Sequence, residues 1–258
     1  MSTRPRLSVF LMMHKGMLYK TNKFCNPIYV GDPINTVKIF SAFKSDELFL
    51  VDIDCSKNQT EPNFKMLETV SKYAKMPICY GGGIKNLSQI KRILSLGYEK
   101  VLISSAGLID HSFINNAVQE FGGQSIVACI DIKYDNLAKK FKAYTINGMI
   151  ECRSPLDSIL EMFMDSGVGE ILINSIDRDG TRLGYDIELS KIIASKINVP
   201  LHFLGGAGKI DHLTDLLKIE GVHAAAAGTL WTFMESYNSV LINYLTIDKR
   251  LENNIFYP

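Results

Sequence analysis

The sequence lacks clustered cysteines and histidines. Its five cysteines stand singly, in odd number and without CxxC spacing, so no pattern indicates a disulfide framework or a structural zinc site. We expect reduced, mostly buried thiols, which are typical of a cytoplasmic protein. Among the histidines, His202, His212 and His223 have no partner at metal-ligand spacing. The sequence therefore predicts no metal, and nothing in it indicates a cofactor.

An excess of charge and a long apolar run are also missing. Lys and Arg number 28 against 27 Asp and Glu, a net charge of +1, which argues against a general nucleic-acid or membrane-surface role. No apolar run approaches the ~18 residues that span a membrane. The run at 7–13 is short, lacks a small-x-small cleavage site and is interrupted by His14 and Lys15. We therefore interpret it as a first core strand and not as a signal peptide.

What the sequence does contain is an alternation of strand and helix patterns. Short apolar runs that end in polar or glycine residues predict buried strands, and a helical pattern follows each of them. The predicted strands lie at 6–13, 48–52, 76–80, 100–103, 125–130, 170–173, 199–204 and 222–226. Eight such units suit a (β/α)8 barrel, and we expect one barrel domain over 1–258. A doubly wound open sheet is the alternative, because periodicity does not show closure.

Three segments depart from this alternation. Residues 16–32 predict a long loop with a functional role or the mobility of a lid. Residues 134–150 predict a β-hairpin with its turn at Asn147-Gly148. After the eighth strand we expect one or two helices to about residue 245 and then a short polar tail.

The chain repeats its strand endings at offsets of 122 to 125 residues. The matched pairs are Asp52 with Asp177, Gly81 with Gly205, and Ser104 with Ala226. The repeat predicts two similar half-barrels. Each half has a glycine-rich turn and a helix start, both of which favour anions, so we predict two phosphate sites at one barrel mouth. One glycine cluster alone would indicate no more than a tight turn.

The loop after the sixth strand carries the densest set of polar groups. Residues 173–184 read INSIDRDGTRLG, and the polar part begins at Asn174, at the C-terminal end of a predicted strand. Parallel α/β folds bind ligands at that end, and carboxylates, a hydroxyl and an amide suit a phosphorylated substrate. Taken alone, a solvated loop with a turn at Asp179-Gly180 explains the same residues equally well.

Six motifs stand in a specific order. They are GDP at 31–33, DEL at 46–48 with DI at 52–53, YGGGI at 80–84, ACID at 128–131, GEI at 169–171 with SIDRDGT at 175–181, and GGAGK at 205–209. In these motifs the chain resembles the HisF family, the cyclase subunit of imidazole glycerol phosphate synthase, over nearly its whole length. It is most similar to the second-copy, WbuZ-type paralogues of surface-polysaccharide clusters.

The resemblance implies a (β/α)8 barrel that receives ammonia from a HisH-like glutaminase at its N-terminal face. Ammonia would pass through the barrel to the bisphosphorylated substrate PRFAR, giving imidazole glycerol phosphate and AICAR. The implied phosphate and substrate residues are Asp52, Gly82, Gly83, Ser105, Ala106, Asn174, Asp179, Gly180, Gly206, Ala227 and Gly228. The implied ammonia gate is Arg6, Glu47, Lys100 and Glu170. Ordinary ion pairing that closes the barrel floor is the alternative for these four.

One departure from the family puts the cyclase activity in doubt. The family uses two aspartates for acid–base work. The second aspartate is retained as Asp131, and the family's loop lysine is retained as Lys20. At the position of the first aspartate stands Met12, and Lys15 stands at a position that is usually acidic in the family. A thioether cannot exchange a proton, whereas a positioned carboxylate contributes about 10²–10⁴-fold.

Three functions therefore remain open. The first is a paralogue that supplies ammonia to an N-acetyl sugar amidotransferase in surface polysaccharide synthesis. The second is a working cyclase of histidine biosynthesis. The third is a non-catalytic scaffold that activates a glutaminase.

Overall fold

The strands of a computed structural model of the chain form one twelve-stranded sheet over the described residues, which are 4–234, 239–253 and 255. The strands are β1 Arg6–His14, β2 Met17–Asn22, β3 Cys25–Gly31, β4 Glu47–Asp52, β5 Ile78–Gly81, β6 Lys100–Ile103, β7 Ile126–Asp135, β8 Lys140–Thr145, β9 Ile150–Glu151, β10 Glu170–Ser175, β11 Leu201–Leu204 and β12 Ala224–Ala227.

Helices follow the strands of the predicted repeat. They are α1 Pro33–Ala42, α2 Ile53–Asn58, α3 Phe64–Ser71, α4 Leu87–Ser95, α5 Ser105–Ile109, α6 His111–Phe121, α7 Leu156–Asp165, α8 Ile187–Ala194, α9 Ile210–Leu217, α10 Thr229–Thr232 and α11 Ile247–Glu252, with a 3₁₀ turn at Gly123–Ser125. Asp32, Asp110 and Asp186 cap three of these helices through side-chain oxygens that accept backbone N–H bonds. None of the helices over the described residues is long and apolar enough to cross a membrane.

Eight of the strands close into a parallel barrel. Their order is β10, β11, β12, β1, β4, β5, β6, β7, and β7 pairs in parallel with β10 to complete the circle. The predicted (β/α)8 barrel is therefore confirmed, and the open-sheet alternative is wrong because a doubly wound sheet would leave two edge strands unpaired.

The alternation of side chains along each strand divides the core into two parts. On β1, Leu11 and Met13 pack in the core between the barrel and its helices, whereas Phe10 and Met12 belong to a separate cluster inside the barrel. This separation follows from the two-residue period of a strand, which sends successive side chains to opposite faces. The inner face of β1 therefore leads from Arg6 at the floor to Met12 at the mouth.

The predicted long loop at 16–32 is wrong, because these residues form an antiparallel hairpin of β2 and β3 that pairs with the end of β1. Its two-residue turn, Lys23 and Phe24, has φ values of 50° and 62°. This is the geometry of a type I′ turn, which is usually built from Asn and Gly.

The hairpin predicted at 134–150 is confirmed, but its turns lie elsewhere. β7 runs on to Asp135 and pairs antiparallel with β8, so the first turn is at 136–139. Asn147-Gly148, both with positive φ, lie in the second turn, between β8 and β9. The predicted C-terminal helices are only partly found: α10 has four residues, 241–246 are without helix, and α11 follows where a polar tail was predicted. Residues 235–238 lie outside the described part of the chain.

The cysteines carry free thiols, as predicted. Cys55, Cys79 and Cys129 are buried, Cys152 is half-buried and Cys25 is exposed on the hairpin.

Candidate active site

A cavity of about 370 Å³ opens at the C-terminal end of the barrel. Strands from both halves contribute to it, and among its lining residues are Met12, Asp52, Gly82, Ser105, Asp131 and Asn174. It therefore brings together residues that lie up to 164 positions apart, at the end of a parallel barrel where ligands bind. Its walls are mainly apolar, with Phe10, Leu102 and Cys129 below the polar rim.

Met12 occupies this mouth and not the outer face of the barrel. The side chain is 7% exposed and packs in the interior cluster with Phe10. Three carboxylates also line the cavity, but Asp52 caps α2 by accepting from the N–H of Asp54, and Asp110 caps α6. Asp131 is the remaining one, so no described carboxylate of the cavity takes the place that Met12 fills.

Asp131 is the best candidate for an acid–base group. Desolvation raises the pKa of its carboxyl to about 7, against a hydrogen bond of 2.8 Å from the Asn174 amide that lowers it. A group with this pKa exchanges protons readily at neutral pH. Asn174 is 6% exposed, and its own Oδ1 has no hydrogen-bond partner among the described residues. The pair therefore presents an acceptor and a titrating carboxyl to a ligand.

The first predicted phosphate cradle lies on one side of the cavity. Gly82 has φ +109°, and a Cβ there would lie 2.2 Å from the carbonyl oxygen of Asp52. Gly83 has φ +70° and faces Cys55 at 2.7 Å. Only glycine fits both positions, and because both glycines line the cavity, they present backbone atoms to it. Ser105 and Ala106 begin α5 beside them, so backbone N–H groups of a helix start also reach the cavity.

The second cradle forms a smaller recess on the opposite side of the mouth. It is lined by Lys20, Asp179, Gly180, Gly206, Ala227 and Gly228, together with residues of β1, β10 and β11. A Cβ on Gly228 would lie 1.8 Å from Lys20 Nζ, so the ammonium group sits directly at the recess. Burial lowers the pKa of Lys20 to about 8, partly offset by the charge of Asp179. An ammonium beside two glycine turns suits an anion.

Besides lining this recess, Asp179 binds the β2–β3 hairpin. Its Oδ2 accepts a 2.6 Å hydrogen bond from the Thr21 hydroxyl and a 3.1 Å bond from the N–H of Phe24. Its backbone carbonyl accepts from the N–H of Lys23 at 2.9 Å. The carboxylate thus fixes the β2–β3 hairpin beside the mouth, and the second cradle presents backbone and the Lys20 ammonium to a ligand.

At the opposite end of the barrel, the four predicted gate residues form one charged floor. Arg6 lies 3.1 Å from Glu47 and 2.9 Å from Glu170, and Lys100 lies 2.8 Å from Glu170 and 3.6 Å from Glu47. Against desolvation, the neighbouring His202, Arg6 and Lys100 hold the pKa of Glu170 well below its usual range. Mutual pairing is what makes three buried charges and the half-buried Arg6 tolerable.

The profile of the family described as "Histidine biosynthesis protein" matches residues 13–235. The chain belongs to this family. Three relatives are each named "Putative imidazole glycerol phosphate synthase subunit", with the suffix HisF in Leptospira borgpetersenii, hisF3 in Vibrio vulnificus and hisF2 in Pseudomonas aeruginosa.

These relatives cover nearly the whole chain. The Leptospira protein is 40% identical over 241 residues, 93% of this chain and 95% of the relative. The Vibrio protein is 42% identical over 92% of this chain and 91% of the relative, and the Pseudomonas protein is 43% identical over 95% and 98%. The resemblance deduced from six motifs is therefore confirmed.

Sequence reasoning missed two polar contacts of this histidine biosynthesis family member. His202 reaches the charged floor, a placement that the two-residue alternation of 201–204 allows but does not indicate. His14, beyond the end of the predicted first strand, donates from Nδ1 to the Asp54 carboxylate at 2.8 Å, a contact that no local pattern indicates. Within the described residues, no group of three His, Cys, Asp or Glu is placed to hold a metal ion.

Proposed function

We propose that this chain is the HisF-like subunit of a glutamine amidotransferase and that it delivers ammonia from a HisH-like glutaminase through the barrel. The observation that supports this function most directly is the complete charged floor beneath an apolar interior that opens into the mouth cavity. Two glycine cradles flank the same mouth, so a phosphorylated ligand can be held where ammonia emerges.

The interior above the floor suits neutral ammonia. Phe49, Leu102, Leu172 and Ala226 line it, together with Cys79. An apolar wall disfavours a charged ammonium ion much more than neutral ammonia. The charged floor would therefore select and desolvate the molecule, and the apolar wall would keep it neutral until it reaches Asp131 at the mouth.

Met12 is the reason for proposing an acceptor other than PRFAR. Cyclisation in the family uses a pair of carboxylates, and here only Asp131 remains. Delivery of ammonia needs no first proton carrier, so methionine is compatible with it. In this proposal ammonia is passed to an N-acetyl sugar amidotransferase of surface polysaccharide synthesis, which follows from the resemblance to the second-copy paralogues.

A genuine cyclase is the second candidate. The specific observation in its favour is Asp131, whose pKa of about 7 suits a general acid or base, together with Lys20 at the second cradle. The two candidates differ in product. With glutamine labelled in its amide nitrogen, the delivery function places the label in an amidated sugar once the amidotransferase is added, whereas the cyclase places it in imidazole glycerol phosphate.

The glutaminase connection is tested by purifying the tagged chain from its native cell and measuring glutamine hydrolysis. We expect a bound glutaminase in the wild-type complex. Lys100→Met removes the cation between Glu47 and Glu170, so the share of ammonia that escapes to solvent should rise by roughly 3- to 10-fold. Lys72→Met, on the exposed surface of α3 beside Glu68, is the matched control and should behave as wild type.

Two results would contradict the proposal. One is a wild-type chain that purifies without glutamine-hydrolysing activity. The other is a Lys100→Met complex that retains ammonia as well as the wild-type and Lys72→Met complexes do.

A further inference from the structure

His202 lies inside the barrel, one step above the charged floor. Its neighbours Leu201 and Phe203 pack in the outer core, whereas Leu204 belongs to the interior cluster, so the imidazole also faces inward. It pairs in register with Leu172, two residues further along β10 than Glu170. The side chain is fully buried. Any small molecule that passes the floor toward the mouth therefore meets this ring.

The imidazole spans the two carboxylates of the floor. Nε2 lies 2.9 Å from Glu170 Oε2 and 2.9 Å from Arg6 Nη2, and Nδ1 lies 3.6 Å from Glu47 Oε1. The edge of the Phe49 ring packs against it with ring centroids 5.8 Å apart. His202 is thus in contact with three of the four gate residues.

These contacts cannot all be hydrogen bonds at the same time. If Nε2 carries the hydrogen, it donates to Glu170, and Nδ1 is an acceptor without a partner among the described residues. If Nδ1 carries the hydrogen, Nε2 accepts from Arg6, and Glu170 Oε2 is then the atom without a donor. A doubly protonated ring would donate to Glu170 through Nε2 but would leave Nδ1 3.6 Å from Glu47 Oε1, beyond hydrogen-bond length. Each form of the ring therefore leaves one buried polar atom unsatisfied next to the floor, which proteins rarely tolerate.

We propose that His202 and Glu170 form the receiving position for ammonia on the inner side of the floor. Ammonia is small, and its three N–H donors can satisfy whichever acceptor the histidine tautomer leaves open. His202 is in this account a positioning residue, since it holds ammonia between the gate and the apolar interior and takes no part in the reaction at the mouth. The inference rests on the proposed delivery of ammonia.

The first test uses the chain alone, with ¹⁵N-labelled histidine side chains and NMR. Ammonium chloride is added at a pH where part of it is ammonia, and potassium chloride is added in parallel. We expect the His202 ring nitrogens to shift saturably with the ammonium salt only, while His223, outside the interior, reports the effect of salt. The His202→Gln variant assigns the signal. Equal shifts with both salts, or none with either, would overturn the inference.

The second test uses the complex with the glutaminase. His202→Leu removes the ring nitrogens, so the ratio of glutamine-dependent to ammonium-dependent product should fall about fivefold to tenfold, the equivalent of one hydrogen bond. His202→Gln keeps a polar atom and should restore part of the ratio, which a purely structural role would not require. His223→Gln is the control. A ratio unchanged in His202→Leu would count against the inference.

The two tests separate this inference from the proposed function. If the wild-type chain binds no glutaminase, the proposed function fails and the NMR titration still decides whether His202 binds ammonia. If the complex channels ammonia but His202 does not respond to it, only the role of His202 fails.

Discussion

Met12 and Asp131 both lie at the mouth, and the same apolar surroundings affect a thioether and a carboxyl group differently. The apolar interior accommodates Met12 without cost, because a thioether needs no hydrogen-bond partner. The same surroundings raise the pKa of Asp131 by removing water from its carboxylate. The position of both residues could be predicted from the strand pattern and the motifs, whereas the pKa could not, because it depends on packing and on Asn174 from another strand.

Asp131→Asn should stabilise the fold in a pH-dependent way. The native carboxyl has a pKa of about 7 against 3.8 for the unconstrained group, so the native state binds more protons and loses stability as the pH rises between these values. The gain in unfolding free energy from Asn should therefore grow from pH 5 to pH 7 and then level off, reaching on the order of 1–3 kcal/mol. Urea unfolding at several pH values measures it.

The control for this prediction is Asp165→Asn, at the exposed end of α7, which should leave the pH dependence of stability unchanged. A constant difference between Asp131→Asn and wild type across pH 5–8 would show that the carboxyl of Asp131 titrates as it does in the unfolded chain.

Among the elements, the β2–β3 hairpin could not be predicted from the sequence. Its turn places Lys23 and Phe24 at positive φ without the Asn-Gly signal that normally marks such a turn. A residue from outside the hairpin stabilises this conformation, because Asp179 accepts hydrogen bonds from Thr21 and Phe24. A contact between residues 158 positions apart leaves no local pattern, so the segment was predicted as a loop. The eight barrel strands, by contrast, each carry their own apolar run.

Thr21→Val should loosen this hairpin. The hydroxyl that donates to Asp179 is lost while the volume of the side chain is kept, so the local opening free energy should fall by about 1–2 kcal/mol. Hydrogen exchange of the amides at 17–31 measures the effect and should be faster, while the β7–β8 hairpin is unaffected. Thr69→Val in α3, whose hydroxyl bonds only to the carbonyl of Lys65, is the control. Unchanged exchange at 17–31 would mean that Asp179 does not hold the hairpin.

For the whole molecule, closure of the barrel is what assembles both ends of the site. Arg6, Glu47, Lys100 and Glu170 begin four different strands and meet only because the sheet closes. The resemblance to the HisF family predicted these four residues as a set. Closure of the barrel could be expected from the size of the chain and from the resemblance, but not from periodicity. The contacts of His202 could not be predicted, because they depend on gate residues from other strands that meet below it only in the closed barrel. Because the barrel is closed, its apolar interior extends from this floor to the cavity where Met12 and Asp131 lie.

We propose that this barrel retains its floor and cradles but lacks the first proton carrier of a cyclase. The most direct measurement is the rate at which the purified chain converts PRFAR with ammonium salt, for the wild type, Met12→Asp and Met12→Leu. We predict that Met12→Asp exceeds the wild type by about 10²–10⁴-fold and that Met12→Leu equals the wild type. A wild-type rate equal to that of Met12→Asp would contradict the account.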